Sequence, residues 1–133
     1  MISFREHQWN QILTHLDRCL PEEACGLVGG MHGDVHTLYP ITNIHHSSSR
    51  FKMDPQEQVN ALLSIEDEGE TLLAIYHSHP TGPRGMSSTD MKEHAYVEAA
   101  QLIFTPSSGT WECNAFRIIS EMWEEIDVQI LKR

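Results

Sequence analysis

The stretch Thr71–Asp90, TLLAIYHSHPTGPRGMSSTD, decides how this chain is read. It begins with an apolar run, Leu72-Leu73-Ala74-Ile75-Tyr76, whose length suits a buried strand. His77-Ser78-His79 closes that run. Residues two apart on a strand share a face, so both imidazoles are expected to project one way and Ser78 the other. Pro80-Thr81-Gly82-Pro83-Arg84-Gly85 has the composition of a loop. Ser87-Ser88-Thr89-Asp90 then opens a helix expected to reach about Ala100, with Ser87 as N-cap and Asp90 three residues on.

Two imidazoles at a strand end and a carboxylate at a helix start, joined by a loop that can fold back, make a ligand set. Catalytic zinc takes three protein ligands from nitrogen, oxygen and sulfur donors and keeps a fourth position for water. His77, His79 and Asp90 can supply the three. A lone His-x-His is more often an ordinary strand end; the offsets of Pro80, Ser87 and Asp90 are what favour a metal here. His94 shares a helix face with Asp90, but three ligands are already assigned without it.

The flanks read as alternating helices and strands. Ser3 with Glu6 forms a capping box, and Trp9, Ile12, Leu13, Leu16 and Leu20 recur at helical spacing, predicting an amphipathic helix over 4–19 that Pro21 stops. Ala24 to Gly30 and Val35 to about Ile44 read as a hairpin around Met31-His32-Gly33-Asp34. Arg50 to Met53 reads as a short strand. Asp54-Pro55-Gln56-Glu57 starts a second helix, with Val59, Leu62 and Leu63 as its apolar stripe and Gly69 as its C-cap. Glu66-Asp67-Glu68 is a solvated face. Leu102 to Thr105, Trp111 to Ile119 and Ile126 to Leu131 are the remaining expected strands. The class is α/β, a single-domain mixed β-sheet flanked by helices.

The chain has 133 residues, enough for one domain over 1–133 that buries about two thirds of its unfolded surface. It is 40% hydrophobic and 21% charged, with a net charge of −10. No basic patch is present, which argues against nucleic acid as a partner. No apolar run approaches the roughly 20 residues that span a bilayer, and the N-terminus has no signal-like apolar segment. Cys19, Cys25 and Cys113 are odd in number and lack metal spacing, which fits a reducing compartment. The expected location is cytoplasmic. His32, His36, His45 and His46 read as surface or loop residues.

His77-x-His79, Pro80, Ser87 and Asp90 together resemble the signature of the JAMM (MPN-plus) zinc metallopeptidases of compact prokaryotic type. That family carries a Glu three residues before a Gly at a strand start, and Glu23 before Gly26 occupies the matching position, with Glu22 its neighbour. The likeness runs from about Pro21 to about Ile119. Met86 stands where bacterial relatives often have Pro, a change in the loop and not in the ligands.

The resemblance implies an MPN/JAMM fold, of cytidine-deaminase-like architecture, holding one catalytic zinc on His77, His79 and Asp90. It implies Glu23 as general base toward a metal-activated water and Ser87 as a hydroxyl donor to the oxyanion. The implied reaction is hydrolysis after the C-terminal Gly-Gly of a ubiquitin-like or small sulfur-carrier protein. Isopeptide, linear peptide and cysteine adduct are all compatible. A glycine tail has no side chains to read, so backbone pairing would hold it, and Ile44 to Met53 is the expected edge. The alternative is a non-catalytic scaffold or ubiquitin-like-protein binding module, which has no physical need to keep these five residues together. A zinc deaminase is disfavoured because His79 replaces its Glu and no Pro-Cys-x-x-Cys follows. A cysteine peptidase using Cys25 is disfavoured because that residue reads as a small buried hydrophobe.

Overall fold

The computed structural model describes residues 1–82, 98–119 and 122–132. They form strands β1 (Ile2–Arg5), β2 (Cys25–Met31), β3 (Asp34–Ile41), β4 (Thr71–Ser78), β5 (Ala100–Ser107), β6 (Thr110–Ile119), β7 (Met122–Ile126) and β8 (Val128–Leu131). Helix α1 spans Glu6–Cys19 and α2 spans Pro55–Asp67. The strands make one mixed sheet in the order β7-β6-β5-β4-β2-β3-β1-β8. β4 lies inside it, antiparallel to β2 and parallel to β5. Only Asp127 separates β7 from β8, yet these strands stand at opposite ends of the order. One residue spans only a few ångströms, so the sheet must curl until its two edges come close.

Both faces of β4 are covered, which is why its sequence is apolar without alternation. On one face Ala74 and Tyr76 pack with Ala24 and Val28 of the β2 region, Phe4, Leu102, Phe104, and Ile12 and Leu16 of α1. On the other, Ile75 packs with Cys25, Leu27, Ile41, Met53 and Ala61 of α2. Gly26 sits directly beneath the Tyr76 ring. A Cβ there would lie 2.2 Å from Tyr76 Cε2, so only a residue without a side chain admits the ring.

Several expectations are corrected. Residues 2–5 are a strand, because Ile2 and Phe4 alternate inward and pair with Val128 and Ile130 of β8. The helix therefore starts at Glu6, and the Ser3–Glu6 capping box gives way to Gln8 Oε1 accepting from the Arg5 N–H at 2.8 Å. β3 ends at Ile41, and the Arg50–Met53 strand shrinks to a single bridge between Asn43 and Met53. The expected pairing edge at Ile44–Met53 is a loop. α2 starts as expected, with Asp54 Oδ1 accepting from the N–H groups of Gln56 and Glu57, both at 3.0 Å. Leu62 of the expected stripe packs against the core, but the buried residues are Ala61 and Ile65, while Val59 and Leu63 are 49% and 53% exposed. Ala100 opens β5 rather than closing a helix, and the rest of the expected Ser88–Ala100 helix lies outside the described residues up to residue 97. The expected terminal strand is divided between β7 and β8. Among the described residues no helix is long and apolar enough to cross a membrane.

Candidate active site

Adjacent strand ends build the site. β4 delivers His77, and the chain just beyond it delivers His79, whose N–H donates to the Phe104 carbonyl at 2.8 Å. Glu23 precedes β2, two residues before Cys25, and Cys25 stands opposite His77 in the β2–β4 ladder. The three side chains converge. Their ligand atoms lie within 4.8 Å of one another, and Glu23, His77 and His79 are 3%, 0% and 3% exposed. Among the described residues this is the one such group of three metal-capable side chains.

The two imidazoles meet Nε2 to Nε2 at 3.0 Å. A neutral imidazole has one N–H and one lone pair, so two like nitrogens at this distance need different tautomers. When both are lone pairs, they converge on a cation instead. Two imidazoles and a carboxylate are nitrogen and oxygen donors of the kind that hold zinc and similar divalent ions. The donor chemistry therefore fits a metal. Phe51 stacks on His77 with ring centroids 4.6 Å apart and planes at 27°, covering one side of the ring.

Ser78 points away from the pair, as the alternation requires. Its Oγ accepts from the Ala24 N–H at 2.8 Å, and its own N–H donates to the Ala24 carbonyl at 3.0 Å. That reciprocal clamp ties β4 to the chain just after Glu23, so one short segment fixes both sides of the site. Cys25 is buried, its thiol pushed up to about 12 chiefly by desolvation, with negative neighbours including Glu23 adding to the shift. A thiol kept protonated at neutral pH is a poor nucleophile.

The sequence singled out His77, His79 and Glu23, and the fold brings these three together. Ser87, Asp90 and His94 lie outside the described residues. His32, His36, His45 and His46 are exposed, as expected. His36 pairs with Asp34 and Glu70, and His46 with Glu22. Two contributors carried no sequence signal. Phe51 sits in a stretch without periodicity, and Asn43 is a single polar residue after a strand, yet Asn43 Nδ2 reaches the Glu23 carbonyl at 3.0 Å.

Fold and site together define the JAB/MPN class of hydrolytic, protease-like enzymes. Residues 5–119 match the family model described as prokaryotic homologs of the JAB domain, and the chain belongs to that family. It is 44% identical over 81 residues to a probable TtuB-protein conjugate cleaving protease of Thermus thermophilus; the match covers 60% of this chain and 54% of that relative. It is 29% identical over 127 residues to the CysO-cysteine peptidase of Mycobacterium tuberculosis, covering 93% and 87%. The solution structure of protein DSY2949 from Desulfitobacterium hafniense superposes with a TM-score of 0.87 at 30% identity, covering 100% of this chain and 94% of that one.

Proposed function

We propose that this protein, as one domain over residues 1–133, is a zinc metallopeptidase. Its reaction is hydrolysis of the bond after the C-terminal Gly-Gly of a ubiquitin-like or sulfur-carrier protein. The observation that carries the reading is the convergence of Glu23, His77 and His79 in a buried site. The named relatives act on protein conjugates or on a cysteine adduct of this kind, which supports the substrate class. His77, His79 and Asp90 would hold the metal.

When bound, the ion supplies a Lewis acid and lowers the pKa of its water toward about 7. The remaining work falls to the chain. The Glu23 carboxylate takes the proton from the attacking water and delivers it to the leaving nitrogen. Burial of Glu23 keeps bulk water from competing for that proton. The Ser87 hydroxyl donates to the oxyanion, a contact worth about 2–4 kcal/mol in comparable sites. Phe51 limits the freedom of His77.

The test is mass-spectrometric cleavage of small ubiquitin-like carriers extended beyond Gly-Gly, with and without a chelator. Chelator-sensitive cleavage after Gly-Gly is expected. Glu23→Gln should retain metal and lose activity by about 10²–10⁴-fold. A variant with near-full turnover would remove Glu23 from the mechanism. Intact carriers together with no bound metal would favour a scaffold.

A further inference from the structure

The loop between β3 and α2 has no ladder of its own, and one buried side chain organises it. Asn43 is 6% exposed. Its Nδ2 donates to the carbonyls of Glu23 and Arg50, both at 3.0 Å. Its Oδ1 accepts from the N–H groups of His45 at 3.0 Å and Lys52 at 3.1 Å. A primary amide offers two donor hydrogens and two lone pairs, and here all four are used. Two carbonyls on one side and two N–H groups on the other also fix which end of the amide is nitrogen.

The loop grips Glu23 twice. While Asn43 holds its carbonyl, the Glu23 N–H donates to the Ser47 carbonyl at 2.7 Å. The same loop carries Phe51, whose ring lies on His77. We propose that Asn43 is a positioning residue of the peptidase: by locking residues 43–53 it sets the Glu23 backbone and the Phe51 ring, and so aims the Glu23 carboxylate at the His77–His79 pair. The catalytic part of this inference rests on the peptidase reading above; the hydrogen-bond part does not. Asp in this place would turn acceptors toward two carbonyls. Ala would leave two carbonyls and two N–H groups without their partner.

The experiment compares metal-loaded wild type, Asn43→Asp and Asn43→Ala on an extended Gly-Gly carrier, alone and combined with Glu23→Asp. Misplacement of a reacting group by about 1 Å costs about 10²-fold. We therefore expect kcat to fall about 10–100-fold in each Asn43 variant, with KM within about threefold. Adding Asn43→Asp to Glu23→Asp should lower kcat little further, because the two act as one unit. A merely structural role would give independent, multiplying losses. Amide hydrogen exchange provides a readout that does not need turnover. The Glu23 N–H should exchange at least about tenfold faster in both Asn43 variants, while Ile75 and Leu102 in the central strands stay protected. Wild-type kcat, multiplying losses, or unchanged Glu23 protection would overturn the proposal. If wild type cuts no carrier, the substrate reading fails while exchange at Glu23 still decides the role of Asn43. If Glu23→Gln keeps turnover, the base assignment fails separately.

Discussion

Tyr76 and His77 are neighbours on β4, both polar and both fully buried, yet they face opposite sides of the sheet and do different work. On the α1 side, the Tyr76 hydroxyl meets His15 Nδ1 at 2.6 Å. Desolvation, and then the Arg18 charge, lower the His15 pKa, which favours a neutral ring, while burial raises the Tyr76 phenol well above its ordinary value. A hydroxyl and a neutral imidazole satisfy each other, and the pair closes on itself. On the α2 side, His77 meets an identical group, His79, with a carboxylate close by. That pair can share a proton through different tautomers, and the same donors can instead turn to a cation. The contrast sets a buried polar contact within the fold against a donor set that could hold the proposed metal.

The sharpest way to break this comparison is to truncate each neighbour in turn. His77→Ala is expected to abolish chelator-sensitive cleavage, since it removes one of the proposed metal ligands. Tyr76→Phe should leave turnover within about threefold and cost about 1–2 kcal/mol in urea unfolding, the usual effect of removing one buried partner. Turnover lost in Tyr76→Phe with stability unchanged would mean that the α1 side belongs to the site after all.

Gly26→Ala probes the same side by volume. The added methyl would meet Cε2, Cζ and Oη of Tyr76 at 2.2, 2.4 and 2.5 Å, so the ring or the strand must shift. Overpacking of this kind costs about 1–3 kcal/mol, read from the midpoint and slope of a denaturant titration. No loss would show that the ring has room to move.

The smallest expected effect is in the pH dependence. Because the folded state holds His15 below its ordinary 6.5, the unfolded chain takes up that proton first as pH falls. The stability supplied by the neutral ring is complete above the unfolded value and is lost as pH drops through the lower folded one. His15→Asn should therefore flatten the acid side of the stability curve below pH 6.5. Superimposable acid limbs for variant and wild type would count against a buried neutral ring.

Sequence reasoning was strongest where local chemistry and fold agree. The β4 run with its His-x-His ending and the Asp54-Pro55 helix start were legible because strand parity and capping act over a few residues. Glu23 was legible only through resemblance. It lies far from His77 in sequence, and the β2–β4 register that unites them is a tertiary fact. β1 was misread because a four-residue strand beside a helix shows little period, and its partner strand is almost the whole chain away. Of the expected α2 stripe only Leu62 packs against the core, while Val59 and Leu63 face outward. The inward face is Ala61 and Ile65 with Leu62 at its edge, apolar residues that the outward Val59 and Leu63 match, so composition alone does not pick the face. Asn43 was invisible because its four partners come from four different residues, three of them in a loop.

The curling of the sheet has a kinetic consequence. Ser3 bonds to Gln129, 126 positions away, within a parallel β1–β8 pairing. Closing a loop of that size costs on the order of 4 kcal/mol in chain entropy before the pairing returns anything. Contacts of such long range slow folding. During synthesis β1 must wait, its outer edge unpaired, until Val128–Leu131 have left the ribosome. The part of the sheet that carries the proposed site, from β2 to β6, uses much shorter connections and can assemble first. β8 then acts as a late latch, and the exposed interval before it shuts is when the nascent chain is most open to edge-to-edge association.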